Sequence, residues 1–198
     1  MAFTLWPRPR GRRTVASRKE VRISGFGGQG IVLAGVILAR AAAIYDNAEA
    51  TQTNSHGAES RGGACMSDVV ISDERIDYPM CVQADVLVCM SPESASRYVS
   101  GIKPGGVLIV DEDLVPNIPD GSYSRLLKVP ATRVAAEELD RRVVANVVML
   151  GALVGAEPIV SKAAIEQAVK DSAPPGTEEL NLRALRRGFE LGEMAKAG

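Results

Sequence analysis

Apolar and polar residues fall into blocks from residue 21 onward, and the blocks switch between two periods. Short runs rich in β-branched residues read as strands over 21–24, 48–53, 64–72, 85–90, 107–110 and 126–129. Longer runs with helical spacing predict helices over 31–43, 93–100, 131–136, 143–154, 162–171 and 177–196. Asp73-Glu74-Arg75 reads as a turn into a short strand at 76–78, which would make a hairpin at a sheet edge. The runs 85–90 and 107–110 are continuously apolar, as strands of a parallel sheet covered on both faces must be. Residues 31–43 are apolar on almost every helical face, which predicts cover by the sheet on one side and by another helix or a subunit on the other. The apolar run 143–154 is well short of the ~20 residues that cross a bilayer, so it reads as a core or interface helix.

The alternation of strand and helix predicts an α/β fold, a Rossmann-like doubly wound and mostly parallel sheet with helices on both faces. Its first strand breaks into Gly25-Phe26-Gly27-Gly28-Gln29-Gly30, and the first helix follows at once. That order brings a helix N-terminus up to a phosphate. Gly25 would allow a tight turn, Gly27 would remove a side chain where an anion approaches, and Gly30 would let helix pack on strand. Gly28 and Gln29 complete the candidate cradle. A packing turn that binds nothing is the alternative. For NAD, an acidic residue is expected about 20 positions on, at the end of the second strand. Glu49 has the spacing but sits early in its strand, whose end carries Thr53, Asn54 and Ser55. A free-standing NAD(P)-binding protein therefore lacks its second determinant.

A polar loop follows, running to Glu59-Ser60-Arg61-Gly62-Gly63. Together with the glycine motif it resembles the gamma subunit of 2-oxoacid:ferredoxin oxidoreductases. Ala145-Asn146, Leu150-Gly151-Ala152-Leu153 and the stretch from Asn181 to Gly188 extend the resemblance to nearly everything after Val21. The resemblance implies one gamma-type domain over 21–198 behind a basic arm over 1–20, working with alpha and beta subunits and a ferredoxin-like delta subunit. It implies thiamine diphosphate and iron–sulfur clusters in the partners, CoA as co-substrate and ferredoxin as electron acceptor. The chain is then inactive alone and supplies no catalytic residue. The loop 54–61 is similar to versions in 2-oxoglutarate enzymes, with pyruvate and indolepyruvate enzymes also open. A purely structural interaction subunit is a further alternative.

Arg61 is the candidate cation: its planar fork can hold a phosphate or carboxylate at two points, or else latch the carbonyls of the 25–30 loop. His56, the chain's one histidine, reads as a hydrogen-bonding loop residue with no nucleophile beside it. Cys65, Cys81 and Cys89 lack C-x-x-C spacing and lie in apolar stretches, which fits buried thiols in a reducing cytoplasm. Three thiols fall short of a four-thiolate cluster, and no metal site is expected. Asp111-Glu112-Asp113 reads as a solvated acidic loop rather than a Mg²⁺ site.

Charge divides the chain. Six basic residues and no acid precede Glu20, leaving 17 basic against 24 acidic residues in the rest. Pro7, Pro9 and Gly11 interrupt any amphipathic transit helix in the arm, and no apolar export segment follows Arg12-Arg13. The arm is expected to be solvated or docked on an acidic partner, with neither nucleic acid nor membrane as its target.

Overall fold

The computed structural model describes residues 18–56 and 63–197. Along them run β1 Lys19–Phe26, α1 Ile31–Arg40, β2 Glu49–His56, β3 Ala64–Ser72, β4 Ala84–Cys89, α2 Pro92–Tyr98, β5 Ile102–Asp111, β6 Arg125–Val129, α3 Ala131–Glu137, α4 Ala145–Ala156, α5 Lys162–Ser172 and α6 Glu178–Ala197. The basic arm lies outside the described residues, except that Lys19 and Glu20 belong to β1 and Arg18 is tied to Glu20 at 2.7 Å.

The strands form one sheet in the order β2-β3-β1-β4-β5-β6. β1, β4, β5 and β6 pair in parallel. β3 is antiparallel to both neighbours, so β2 points the same way as the parallel set. Side chains alternate across the pleat. Val21, Ile23, Val86, Val88, Val107 and Ile109 face a core shared with α1, α3, α4, α5 and α6. Leu87, Cys89, Leu108 and Val110 face a second core with Ala95 of α2 and Val99 beyond it. Covering both faces is what makes these strands continuously apolar.

Two expectations are corrected. Residues 76–78 form no edge strand, and β3 lies inside the sheet with β1 and β2 on its two sides. Side chains take the carbonyls of the 73–83 segment before any ladder can: Arg18 donates to Tyr78 and Met80 at 2.9 Å each, and Thr51 donates to Pro79 at 3.2 Å. His56 ends β2 opposite Cys65 and is not a loop residue.

Between β1 and β3, Arg22 and Asp68 face each other in register. Two hydrogen bonds of 2.7 Å join them, and the guanidinium lies 5.4 Å from the centre of the Tyr98 ring. Both are largely withdrawn from water, and each offsets the other's cost of burial.

α4 is buried at every residue but Gly155, because it packs backbone to backbone on α6. A methyl group built at Gly151 would press on the Leu185 carbonyl and lie 2.9 Å from the Gly188 Cα; one at Gly188 would meet the Val148 carbonyl and the Gly151 Cα. Gly155 and Gly192 repeat the arrangement a turn further on. Only glycine fits where two helices approach this closely.

Candidate functional site

β1 gives way to α1 through a turn in which the Gln29 amide donates to the Phe26 carbonyl at 3.2 Å. Gly28 and Gly30 have φ of 95° and 74°, the left-handed region that other residues avoid. Gly30 is the N-cap of α1 and offers no side chain, so the first amides of the helix are left without a side-chain cap. Among the described residues, a Cβ at Gly27 would meet nothing within 4 Å, which leaves that face of the backbone open to an approaching group. Gly25 has a different role from the one expected: it lies within β1 and leaves room for the side chains of Gln29 and Ile31.

Gln29 faces inward. Its amide oxygen accepts from the Phe26 N–H at 2.6 Å, and its amide nitrogen donates to the Met90 carbonyl at 2.9 Å. The side chain thus bridges the carboxyl ends of β1 and β4. There the connections diverge to opposite sides of the sheet, the position where open α/β sheets bind ligands. On the other side of the loop, Asn146 near the start of α4 donates to the Gly30 carbonyl at 3.2 Å. A Cβ at Gly30 would clash with this amide, which is a second reason for glycine there.

Beside Gly28 and Gly30 opens a cleft of about 280 Å³. α1 contributes Leu33 and Ile37, the start of α4 contributes Asn146 and Val147, and Thr177, Leu180 and Asn181 close the far side. Its rim is apolar and open: Leu33 is 44% exposed and Val143 77%. Arg141 also lines it and supplies a guanidinium. Sequence reading missed Arg141 and the outward turn of Val143, which it placed inside a helix. Arg142–Val144 instead form a single tight turn ahead of α4. Arg61, with the rest of 57–62, lies outside the described residues.

Residues 20–191 match the family model described as pyruvate ferredoxin/flavodoxin oxidoreductase. The chain belongs to that family. It is 55% identical over 182 residues to the 2-oxoglutarate synthase subunit KorC of Methanocaldococcus jannaschii, covering 91% of this chain and 97% of that protein. The pyruvate synthase subunit PorC of Methanothermobacter marburgensis is 32% identical over 174 residues, covering 86% of this chain and 96% of that one. Among solved structures, the gamma subunit of a keto/oxoacid ferredoxin oxidoreductase from Geobacter sulfurreducens is similar at a TM-score of 0.84 and 44% identity, over 91% of this chain and 99% of that one. A 2-oxoglutarate:ferredoxin oxidoreductase from Magnetococcus marinus, with 2-oxoglutarate, coenzyme A and succinyl-CoA bound, aligns at a TM-score of 0.79 and 25% identity. There the match covers 91% of this chain and 32% of the longer neighbour. The chain is thus a gamma-type subunit of a 2-oxoacid oxidoreductase.

Family membership agrees with geometry that disfavours a nicotinamide cofactor. β3 separates β1 from β2, placing the second strand about 10 Å from the loop instead of beside it. Glu49 starts β2, at the end remote from the loop. The acidic triplet is structural, and only partly solvated. Asp111 is fully buried and accepts from the backbone and hydroxyl of Thr132 at 3.0 and 2.6 Å, tying β5 to α3. Burial raises its carboxyl above the ordinary range, against the lowering effect of those bonds. Arg133 meets Asp113 at 3.1 Å and also pairs with Glu112.

Cys65, Cys81 and Cys89 are each buried, and among the described residues no three metal-ligating side chains converge. Burial pushes the Cys81 thiol up to about 12 and the Cys89 thiol up to about 11, and raises that of Cys65. Among the described residues no helix is long and apolar enough to cross a membrane.

Proposed function

We propose that this gamma subunit serves a 2-oxoglutarate:ferredoxin oxidoreductase of the cytoplasm, and that its 25–30 loop helps to dock CoA. The complex converts a 2-oxoacid, CoA and oxidised ferredoxin to acyl-CoA, CO₂ and reduced ferredoxin. Thiamine diphosphate is assigned to the alpha and beta partners and the clusters to the partners as well, since the three cysteines of this chain fall short of the four thiolates of a cluster. The substrate follows the relatives named 2-oxoglutarate synthase, which match over almost their whole length.

The observation that carries the CoA reading is the open backbone at Gly27 beside the uncapped start of α1. Amide N–H groups and the positive end of the helix dipole favour an anion there. CoA brings a pyrophosphate, and the adjoining cleft is large enough for only a part of so long a molecule. α1 also turns Leu33 and Val36, three residues apart and each more than two-fifths exposed, to the outside. An apolar stripe of this kind is what a partner subunit covers.

Gly27→Val tests the reading, because a Cβ there meets none of the described residues within 4 Å. In the assembled complex it should raise KM for CoA about tenfold or more and leave KM for 2-oxoglutarate nearly unchanged. Arg61→Ala should do the same if Arg61 holds a CoA phosphate, since a charge-assisted bond contributes about 1.5–3 kcal/mol. Wild-type CoA dependence in both would favour an interaction subunit whose glycines only pack, a reading to which the tight contacts at Gly25 and Gly30 give support.

A further inference from the structure

We infer that Asn146 and Gln29 are positioning residues for the 25–30 loop: they act through its backbone, aiming its amides by the hydrogen bonds they make to it. The inference rests on the CoA-docking reading above.

A peptide unit is planar, and its carbonyl and N–H point in opposite directions. The Gly30 carbonyl and the Ile31 N–H share one such plane. Asn146 donates to that carbonyl at 3.2 Å, and the Ala34 N–H donates to it at 3.0 Å. With the oxygen held from two sides, the plane is fixed and the Ile31 N–H, the first free amide of α1, faces away from the helix body. Left-handed Gly30 has no side chain to fix it otherwise.

Gln29 does the corresponding work at the other end of the loop. By accepting from the Phe26 N–H at 2.6 Å it fixes the peptide between Gly25 and Phe26, and by donating to the Met90 carbonyl at 2.9 Å it fastens the turn to β4. Met90 is itself tied to β1, its N–H donating to the Ser24 carbonyl at 2.8 Å. Asn146 is only 5% exposed and rides on α4, the helix locked to α6 through glycine contacts. The two amides therefore anchor opposite ends of a glycine-rich loop to rigid elements. With glycine at four of six positions, the loop is otherwise restrained by two backbone bonds, the Gln29 N–H to the Phe26 carbonyl at 3.2 Å and the Gly27 N–H to the Gly63 carbonyl at 3.4 Å.

Asn146→Leu and Gln29→Met keep volume and neutrality while removing the hydrogen bonds. Each should be measured in the assembled complex beside Gly27→Val, with CoA and 2-oxoglutarate varied separately and assembly followed by size-exclusion chromatography. We expect both variants to assemble, with KM for CoA raised about tenfold, equivalent to about 1.4 kcal/mol, and KM for 2-oxoglutarate unchanged. Wild-type CoA dependence in both, with Gly27→Val impaired, overturns the positioning role and leaves CoA docking standing. Wild-type CoA dependence in Gly27→Val removes the docking reading and this inference with it. Failure of both variants to assemble, or an equal rise in both constants, assigns the two amides to general structure and also overturns the inference.

Discussion

Gly188→Ala puts one methyl group into a backbone-to-backbone contact, the crossing of α4 and α6. The new Cβ would press on the Val148 carbonyl, lie 2.8 Å from the Gly151 Cα and 2.9 Å from the Ala152 nitrogen. All three are backbone atoms, so no side chain can swing aside and the helices must separate. Overpacking of this kind costs about 1–3 kcal/mol, and backbone on every side puts it at the upper end. Removing glycine from a helix interior returns about 1 kcal/mol. The net loss is about 2 kcal/mol, which for a domain of this size lowers Tm by roughly 4–8 °C. Thermal unfolding followed by circular dichroism measures it, with Gly27→Ala as control because that methyl meets none of the described residues within 4 Å. An unchanged or higher Tm for Gly188→Ala would refute the close-packed crossing.

Two other perturbations follow from buried chemistry. Asp68→Ala strands the Arg22 guanidinium in the interior and should cost about 3–5 kcal/mol in denaturant unfolding. The double change Arg22→Met with Asp68→Leu should recover most of that, and no recovery would mean the pair contributes more than mutual neutralisation. Burial raises the Cys81 and Cys89 thiols to about 12 and about 11, so the folded state keeps protons that the unfolded chain releases near 9. The associated stability is complete below pH 9 and declines as pH rises through the folded values; Cys81→Ala should flatten that decline between pH 9 and 11. At pH 8 the native chain should not react with a thiol reagent until denaturant is added, and prompt labelling would contradict the burial of all three cysteines.

The strands at β4 and β5 were legible because unbroken apolar runs have few other uses, and β3 matches its expected span of 64–72 residue for residue. The insertion of β3 between β1 and β2 was not legible. Apolar residues show that a strand is buried but do not say which strand lies beside it. The 73–83 segment was misread for a related reason: Ile76 to Tyr78 has a strand-like alternation, but the side chains that claim the neighbouring carbonyls come from Arg18 and Thr51, distant in sequence. At the candidate site the glycine motif was plain, and the inward use of Gln29 was not, since its partner Met90 lies 61 residues away. The stretches around Gly151 and Gly188 carried the family resemblance. Their physical reason, one helix backbone lying against another, emerges only when α4 and α6 are seen together.

Combining the purified chain with the proposed alpha, beta and delta partners, and following ferredoxin or viologen reduction, tests whether it is a necessary gamma subunit of an enzyme that oxidises 2-oxoglutarate with CoA. Activity should require both 2-oxoglutarate and CoA, exceed that with pyruvate, and be absent from the gamma chain alone and from partners lacking it. Full CoA-dependent activity without the gamma chain, or dye reduction by the gamma chain alone, would contradict the account.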